Sequence, residues 1–205
     1  MQAESLKFSE LKPKGMESNI FMYHLKYLIN EGLVKKSKNG YGLSAKGLNY
    51  VDGLSSTNLR LRKQPKLIAI LTIQNSEGHW LLAKRKTQPY INKLMYPSGK
   101  HHIGETLDEH LKRESLEKFG TQLNFKYFGL AEIEILDGDT LMSHVLANVY
   151  YCKANISLPY EDERFSYQWH PLSKASDNLM PGTLDLCQQI LKKDSIFKFS
   201  QKYTV

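Results

Sequence analysis

Apolar and polar positions alternate with two different periods along the chain. In residues 20–31, Ile20, Phe21, Leu25, Leu28 and Ile29 recur at helical spacing, which predicts an amphipathic helix capped by Ser18 or Asn19 and stopped at Gly32. A shorter helical pattern over residues 5–11 is broken by Pro13 and Gly15. Residues 33–44 then read as a hairpin with Asn39-Gly40 at its tip, because a type I′ turn needs positive φ at both central positions. Ser44 is placed to cap a further helix over residues 45–52.

From residue 67 the pattern becomes that of strands. Residues 67–74 are almost continuously apolar, as in a buried strand, and residues 75–78 form a turn into a return strand ending at Arg85. Residues 86–96 form a polar loop containing Tyr90, Ile91 and Tyr96. Thr106 and Glu109 have capping-box spacing, Asp108 and Glu109 suit the first helical turn, and Gly120 closes a helix on which Leu107 and Leu111 are the expected anchors. Two long strands follow, over residues 123–136 and 140–153, around a turn at Asp137-Gly138-Asp139. Their core candidates are Val145, Leu146, Val149, Tyr150 and Tyr151. An acidic loop from Tyr160 leads into a strand ending at Trp169, and a last helix is expected over residues 183–193 on the face of Leu184, Cys187, Ile190 and Leu191. The tail to Val205 is polar with two phenylalanines and receives no element.

Composition narrows the class. An apolar fraction of 41% in 205 residues supports real cores and excludes a disordered chain. Cys152 and Cys187 form no metal or redox pattern and read as buried thiols of a reducing compartment. No run resembles a signal peptide or a membrane span, so a cytoplasmic location with no membrane partner is expected. Charge is unevenly placed. Residues 1–66 hold 12 Lys and Arg against 5 Asp and Glu, whereas residues 67–205 hold 16 against 16. The whole excess of +7 thus sits in the first third, as in a polyanion-binding module joined to a neutral one. The division expected is residues 1–54, a polar and basic linker over 55–66, and a larger α/β domain over 67–205.

Gly99, Glu105, Arg113-Glu114, Glu117 and Gly120 stand at fixed offsets around the helix of residues 107–119. This spacing resembles the Nudix box, and the flanking strands are similar to that family over roughly residues 67–195. The resemblance implies an α/β/α sandwich with a mixed sheet. It also implies hydrolysis of a nucleoside diphosphate derivative by water attack at phosphorus, assisted by Mg²⁺ or Mn²⁺. Carried over by position, Glu114 and Glu117 would hold metal, with Glu114 as candidate base, Arg113 orienting the cluster through Glu105, and the Gly99 carbonyl as a further ligand. Arg85 and either Glu161 or Glu163 would face substrate. The sequence departs from the box at Ser98, His102, Ser115, Thr121 and above all Lys118, where the family usually carries a metal-binding glutamate. Glu114 and Lys118 have the spacing and order of a favourable helical ion pair, so Lys118 is expected to take part of a metal's charge role and to meet the substrate's diphosphate. His101, His102 and His110 flank the cluster. Two are adjacent and the third lies on another element, which reads as polar surface rather than a transition-metal site.

The helix of residues 20–31, the basic hairpin and the helix after it are similar to winged helix-turn-helix domains. The resemblance makes Asn19, Tyr23, Lys26, Tyr27 and Asn30 the candidate DNA contacts of a recognition helix. It makes Lys35, Lys36 and Lys38 phosphate contacts on the wing. Such domains usually have one more full helix at the start, so either the module is shortened or the native start lies upstream. The bland alternative is a packing module with a solvated lysine face. Winged-helix modules commonly read paired half-sites, which makes a homodimer an expectation too. Two functions stay open: a Nudix-type phosphohydrolase with an accessory winged helix, and a DNA-binding regulator whose degenerate Nudix domain senses a nucleotide-like ligand.

Overall fold

The computed structural model describes residues 5–55, 58–157, 161, 163–172, 178–192 and 196–205. It divides into two compact units, residues 1–64 and 65–205.

The first unit contains α1 (Phe8–Leu11), α2 (Ser18–Asn30), β1 (Val34–Ser37), β2 (Gly40–Leu43) and α3 (Ala45–Asp52). Its small core joins Leu25, Val34 and Tyr41 to Phe8, Leu11, Phe21 and Ile29. The buried stripe of α2 is therefore Phe21, Leu25 and Ile29, one turn apart, while Ile20 and Leu28 are exposed. The helix begins earlier than the spacing predicts. Its N-cap is Glu17, and neither Ser18 nor Asn19 caps it. Ser44 caps α3 as expected, its Oγ accepting the Gly47 N–H at 3.0 Å.

The hairpin differs from expectation in its turn. Ser37 pairs with Gly40, so the two tip residues are Lys38 and Asn39, and Gly40 opens the return strand with φ +127°. The glycine is needed for another reason. Leu6 and Tyr41 exchange backbone hydrogen bonds of 3.0 and 2.9 Å, and a β-carbon at residue 40 would lie 2.4 Å from the Leu6 carbonyl oxygen. Much of the expected linker is also tied down within this unit. Leu54 bridges Leu61, the Arg62 N–H bonds the Gly53 carbonyl at 3.0 Å, and the Arg62 guanidinium donates to the Asp52 carbonyl. Residues 56 and 57 of that stretch lie outside the described residues.

The second unit is a mixed sheet between two helices. Its strands are β3 (Lys66–Gln74), β4 (Trp80–Arg85), β5 (Leu94–Met95), β6 (Ser98–Lys100), β7 (Lys126–Asp137), β8 (Thr140–Lys153), β9 (Phe165–His170) and β10 (Phe197–Thr204). The helices are α4 (Leu107–Phe119) and α5 (Thr183–Leu191). Strand order is β10-β7-β8-β3-β4-β5, with β6 paired to β3 and β9 to β4. The pairs β3–β8 and β10–β7 are parallel and the others antiparallel.

Strand periodicity separates two cores. Ala69, Leu71 and Ile73 point to one face of β3 and pack with Leu81, Tyr150, Cys152 and, from α4, Phe119 and Leu111. Ile68 and Ile70 point to the other face, where Ile133, Ala147 and Val149 meet Leu186, Cys187 and Ile190 of α5. The α/β/α sandwich expected from the resemblance is thus present. Both cysteines are buried and free, and burial pushes the Cys152 thiol up to about 12. The tail that received no element is β10. Phe199 is buried, and Phe197 lies so close to Gly129 that a β-carbon there would be 2.4 Å from the Phe197 carbonyl oxygen. The last helix ends at Leu191, and Lys193 lies outside the described residues. No helix among the described residues is long and apolar enough to cross a membrane.

Candidate functional site

The helix α4 starts and stops as its sequence dictates. Thr106 Oγ1 accepts the Glu109 N–H at 3.3 Å, the Glu109 carboxylate accepts the Thr106 N–H at 2.8 Å, and Gly120 ends the helix at φ +67°. Alongside Phe119 and the expected anchor Leu111, however, its buried face carries polar side chains. His110, Glu114, Ser115 and Phe119 are buried, whereas the expected anchor Leu107 is half exposed. Ser115, the polar departure from the box pattern, donates from Oγ to the Thr121 carbonyl at 2.7 Å and accepts the Leu123 N–H at 2.8 Å. One hydroxyl therefore satisfies both a carbonyl and an amide of the chain leaving the helix.

Glu114 faces β6. A β-carbon at Gly99 would fall 1.8 Å from the Glu114 Cδ, so only glycine leaves room for this carboxylate. Arg113 ties the acidic side chains together. Its Nε and Nη2 donate to the two oxygens of Glu105 at 2.6 and 3.0 Å, and its Nη1 donates to Glu114 Oε1 at 2.7 Å and Glu117 Oε2 at 3.3 Å. A bond from Nη2 to the Lys100 carbonyl, at 3.1 Å, fixes the guanidinium against β6. The Arg113 bonds hold the Glu105 carboxyl down at about 2, and in return the two glutamates raise the Arg113 pKa. Lys118 lies 3.2 Å from Glu114 Oε2, out of line for a hydrogen bond but close enough for an ion pair. The buried Glu114 carboxylate thus has a cation on each oxygen, while Glu117 is largely exposed.

Arg113, Glu114, Glu117 and Lys118 stand at one side of a cavity of about 750 Å³, whereas Glu105 is not in its lining. Its lining brings Lys66, Arg85, Lys100, Arg113, Lys118 and Arg164 together with Glu114 and Glu117. Six basic side chains against two carboxylates suit an anionic guest. Ile68, Ile70, Ile133, Ile135 and Val145 form an apolar floor, and Tyr90 and Phe165 add aromatic walls. Arg85 is in this lining. Its Nε donates to the Thr87 carbonyl at 3.0 Å, and its guanidinium lies 5.6 Å from the centre of the Phe165 ring. Glu161 and Glu163 are not in the lining. Glu161 is exposed and paired with Lys86, and it is the neighbouring Arg164 and Phe165 that reach the cavity. Tyr160 and Asp162 lie outside the described residues.

Sequence reasoning missed the floor and the contribution of Lys66, Lys100 and the start of α5. The signal for Lys66, Ile68 and Ile70 is the period of two along β3, which puts them on one face. The histidines also depart from the surface reading. His110 is buried, its Nδ1 lies 2.9 Å from His101 Nδ1, and burial lowers its pKa. His102 donates its backbone N–H to Glu105 Oε2 at 3.1 Å.

In the first unit, Asn19, Tyr23, Lys26, Tyr27 and Asn30 are all exposed along α2. Lys35 and Lys36 on β1 and Lys38 at the tip are exposed as well. Lys36 lies 5.8 Å from the centre of the Tyr41 ring.

No protein-family model and no curated protein matches this chain. Solved structures do. A MutT protein of Bacillus halodurans is 19% identical with a TM-score of 0.55, over 68% of this chain and 90% of that one. A MutT Nudix hydrolase of Burkholderia pseudomallei is 25% identical with a TM-score of 0.52, over 62% and 99%. The Nudix domain of Shewanella oneidensis NrtR, solved with ADP ribose, is 14% identical with a TM-score of 0.53, over 71% and 97%. With the mixed sheet, the two flanking helices and the Gly99–Glu114 contact, these likenesses establish that the chain carries a Nudix fold.

Proposed function

We propose that the second unit is a Nudix-type phosphohydrolase acting on a nucleoside diphosphate derivative. The observation that carries this reading is the convergence of Glu114, Glu117 and Arg113 on one wall of a basic cavity with an apolar floor. The basic side chains would hold the diphosphate, and Tyr90, Phe165 and the floor would take the flatter, less polar part. The donor set fits a hard divalent ion. Glu114 and Glu117 offer carboxylates on adjacent turns, and the Gly99 backbone lies against Glu114. Mg²⁺ or Mn²⁺ held there would neutralise diphosphate charge and activate water. Arg113 would keep both carboxylates aimed, anchored by Glu105. Lys118 would compete for Glu114, weakening metal binding and slowing turnover while still attracting phosphate.

That ion pair also supports a second reading, a regulator that binds a nucleotide-like ligand and DNA. The NrtR Nudix domain was solved with ADP ribose, and α2 with its hairpin presents an exposed basic surface. The full helix that usually opens a winged helix has no counterpart among the described residues, where only α1 precedes α2.

The test is product release from a panel of nucleoside diphosphate compounds with Mg²⁺ or Mn²⁺, in wild type, Glu117→Gln and Lys118→Glu. Turnover that falls at least tenfold in Glu117→Gln supports the hydrolase. A silent wild type with activity gained in Lys118→Glu supports the sensor. Unchanged turnover and metal affinity in Lys118→Glu would remove the role given to Lys118.

A further inference from the structure

We propose that His101, Glu105 and His110 form a second metal site, for a borderline divalent ion such as Zn²⁺, separate from the Glu114–Glu117 pair. One ligand atom each of His101, Glu105 and His110 can be chosen so that all three lie within 4.8 Å of one another. Metal bonds of about 2.0–2.1 Å separate neighbouring tetrahedral ligands by about 3.3 Å. The observed 2.9 Å between the two Nδ1 atoms and 3.9 Å from His110 Nδ1 to Glu105 Oε2 bracket that value.

The tautomers carry the argument further. His101 Nε2 lies 2.7 Å from the Glu105 carbonyl, which can only accept, so this nitrogen holds the proton and Nδ1 holds the lone pair. Metal-free, His110 must then donate from Nδ1 to His101. In the neutral ring that leaves its Nε2 as a buried lone pair with no hydrogen bond among the described residues, facing Glu114 Oε1 at 3.8 Å. A metal ion resolves the mismatch. Both Nδ1 lone pairs turn to the ion, the His110 proton moves to Nε2, and Nε2–H faces the Glu114 carboxylate. Metal-bound histidines commonly carry such a carboxylate partner on the other nitrogen. Glu105 can serve without abandoning Arg113, because Oε1 keeps the 2.6 Å bond to Nε while Oε2 turns to the ion. Two imidazoles and one carboxylate favour Zn²⁺ or Co²⁺ over Mg²⁺, and three protein ligands leave a position open. Such an ion would fasten the loop between β6 and α4 to the helix.

The test is titration of the full chain with Co²⁺, a coloured substitute for Zn²⁺, in excess Mg²⁺ so that the carboxylate pair is saturated. The expected result is one equivalent of Co²⁺ with the visible bands of a four- or five-coordinate ion, displaced by Zn²⁺. Affinity should fall at least tenfold in His101→Ala and Glu105→Gln and be kept in Glu117→Gln. His101→Ala is preferred to a His110 variant because His110 is buried, and melting curves would verify that each variant is folded. Co²⁺ affinity unchanged in folded His101→Ala, or lost in Glu117→Gln, would overturn the site.

Discussion

The Glu114 carboxylate occupies the space that a β-carbon at Gly99 would take, 1.8 Å from its Cδ. Gly99→Ala should therefore expel Glu114 from β6 and break its alignment with Arg113. The expected outcome is at least a hundredfold loss of any diphosphate hydrolysis, with destabilisation of about 1–3 kcal/mol from overpacking. Turnover and thermal melting measure the two effects separately.

Glu105 gives the fold an acid-side dependence. Its carboxyl is held from an ordinary value of 4.5 down to about 2, mainly by Arg113. A depressed folded-state pKa contributes stability above the unfolded value that is lost as pH falls from about 4.5 towards 2. Melting temperature should drop across that window in wild type and drop less steeply in Glu105→Gln. Parallel curves would disprove the assignment.

Ser115→Ala should destabilise the second unit by about 1–3 kcal/mol, because the Thr121 carbonyl and Leu123 N–H lose their shared partner. Chemical denaturation measures it. An unchanged midpoint would mean that water replaces the hydroxyl without penalty.

On the nucleic-acid reading, replacing Lys35, Lys36 and Lys38 together by Gln should weaken binding to duplex DNA and lower the slope of log K against log salt by up to about 3. Fluorescence anisotropy at several salt concentrations measures both. An unaltered slope would place the phosphate contacts elsewhere.

The strands β3, β4, β7, β8 and β9 and the helices α4 and α5 were legible because apolar runs and the capping signals at Thr106 and Gly120 act locally, whereas the short β5 lay within the stretch read as a loop. What was not legible depends on partners distant in the chain. β10 carries little apolar signal of its own, because it is a strand by virtue of its bonds to β7. The buried polar residues of α4 depart from the amphipathic rule because Glu114 lines the cavity, paired with Arg113 and Lys118, and Ser115 serves the chain that leaves the helix. His101 and His110 looked unrelated, since nothing in their spacing reveals that the loop folds back to bring the two rings within 4.9 Å. Asn39-Gly40 misled in the opposite way. A strong local turn signal stood for a glycine that the close approach of the Leu6 backbone required.

The parallel register of the second sheet also sets a folding order. β3 meets β8 through pairs such as Lys66–Val145, and β10 meets β7 through pairs such as Phe197–Gly129, so the chain must close long loops before these bonds form. In the first unit, β1 and β2 pair across a two-residue tip. Contacts so distant in sequence slow folding, whereas local ones speed it. The first unit should therefore become native well before the second. The two tryptophans, Trp80 and Trp169, both belong to the second unit and lie on the adjoining strands β4 and β9, so stopped-flow fluorescence would follow the slower event alone. A tryptophan signal complete before the helical circular dichroism of α2 and α3 develops would contradict this order.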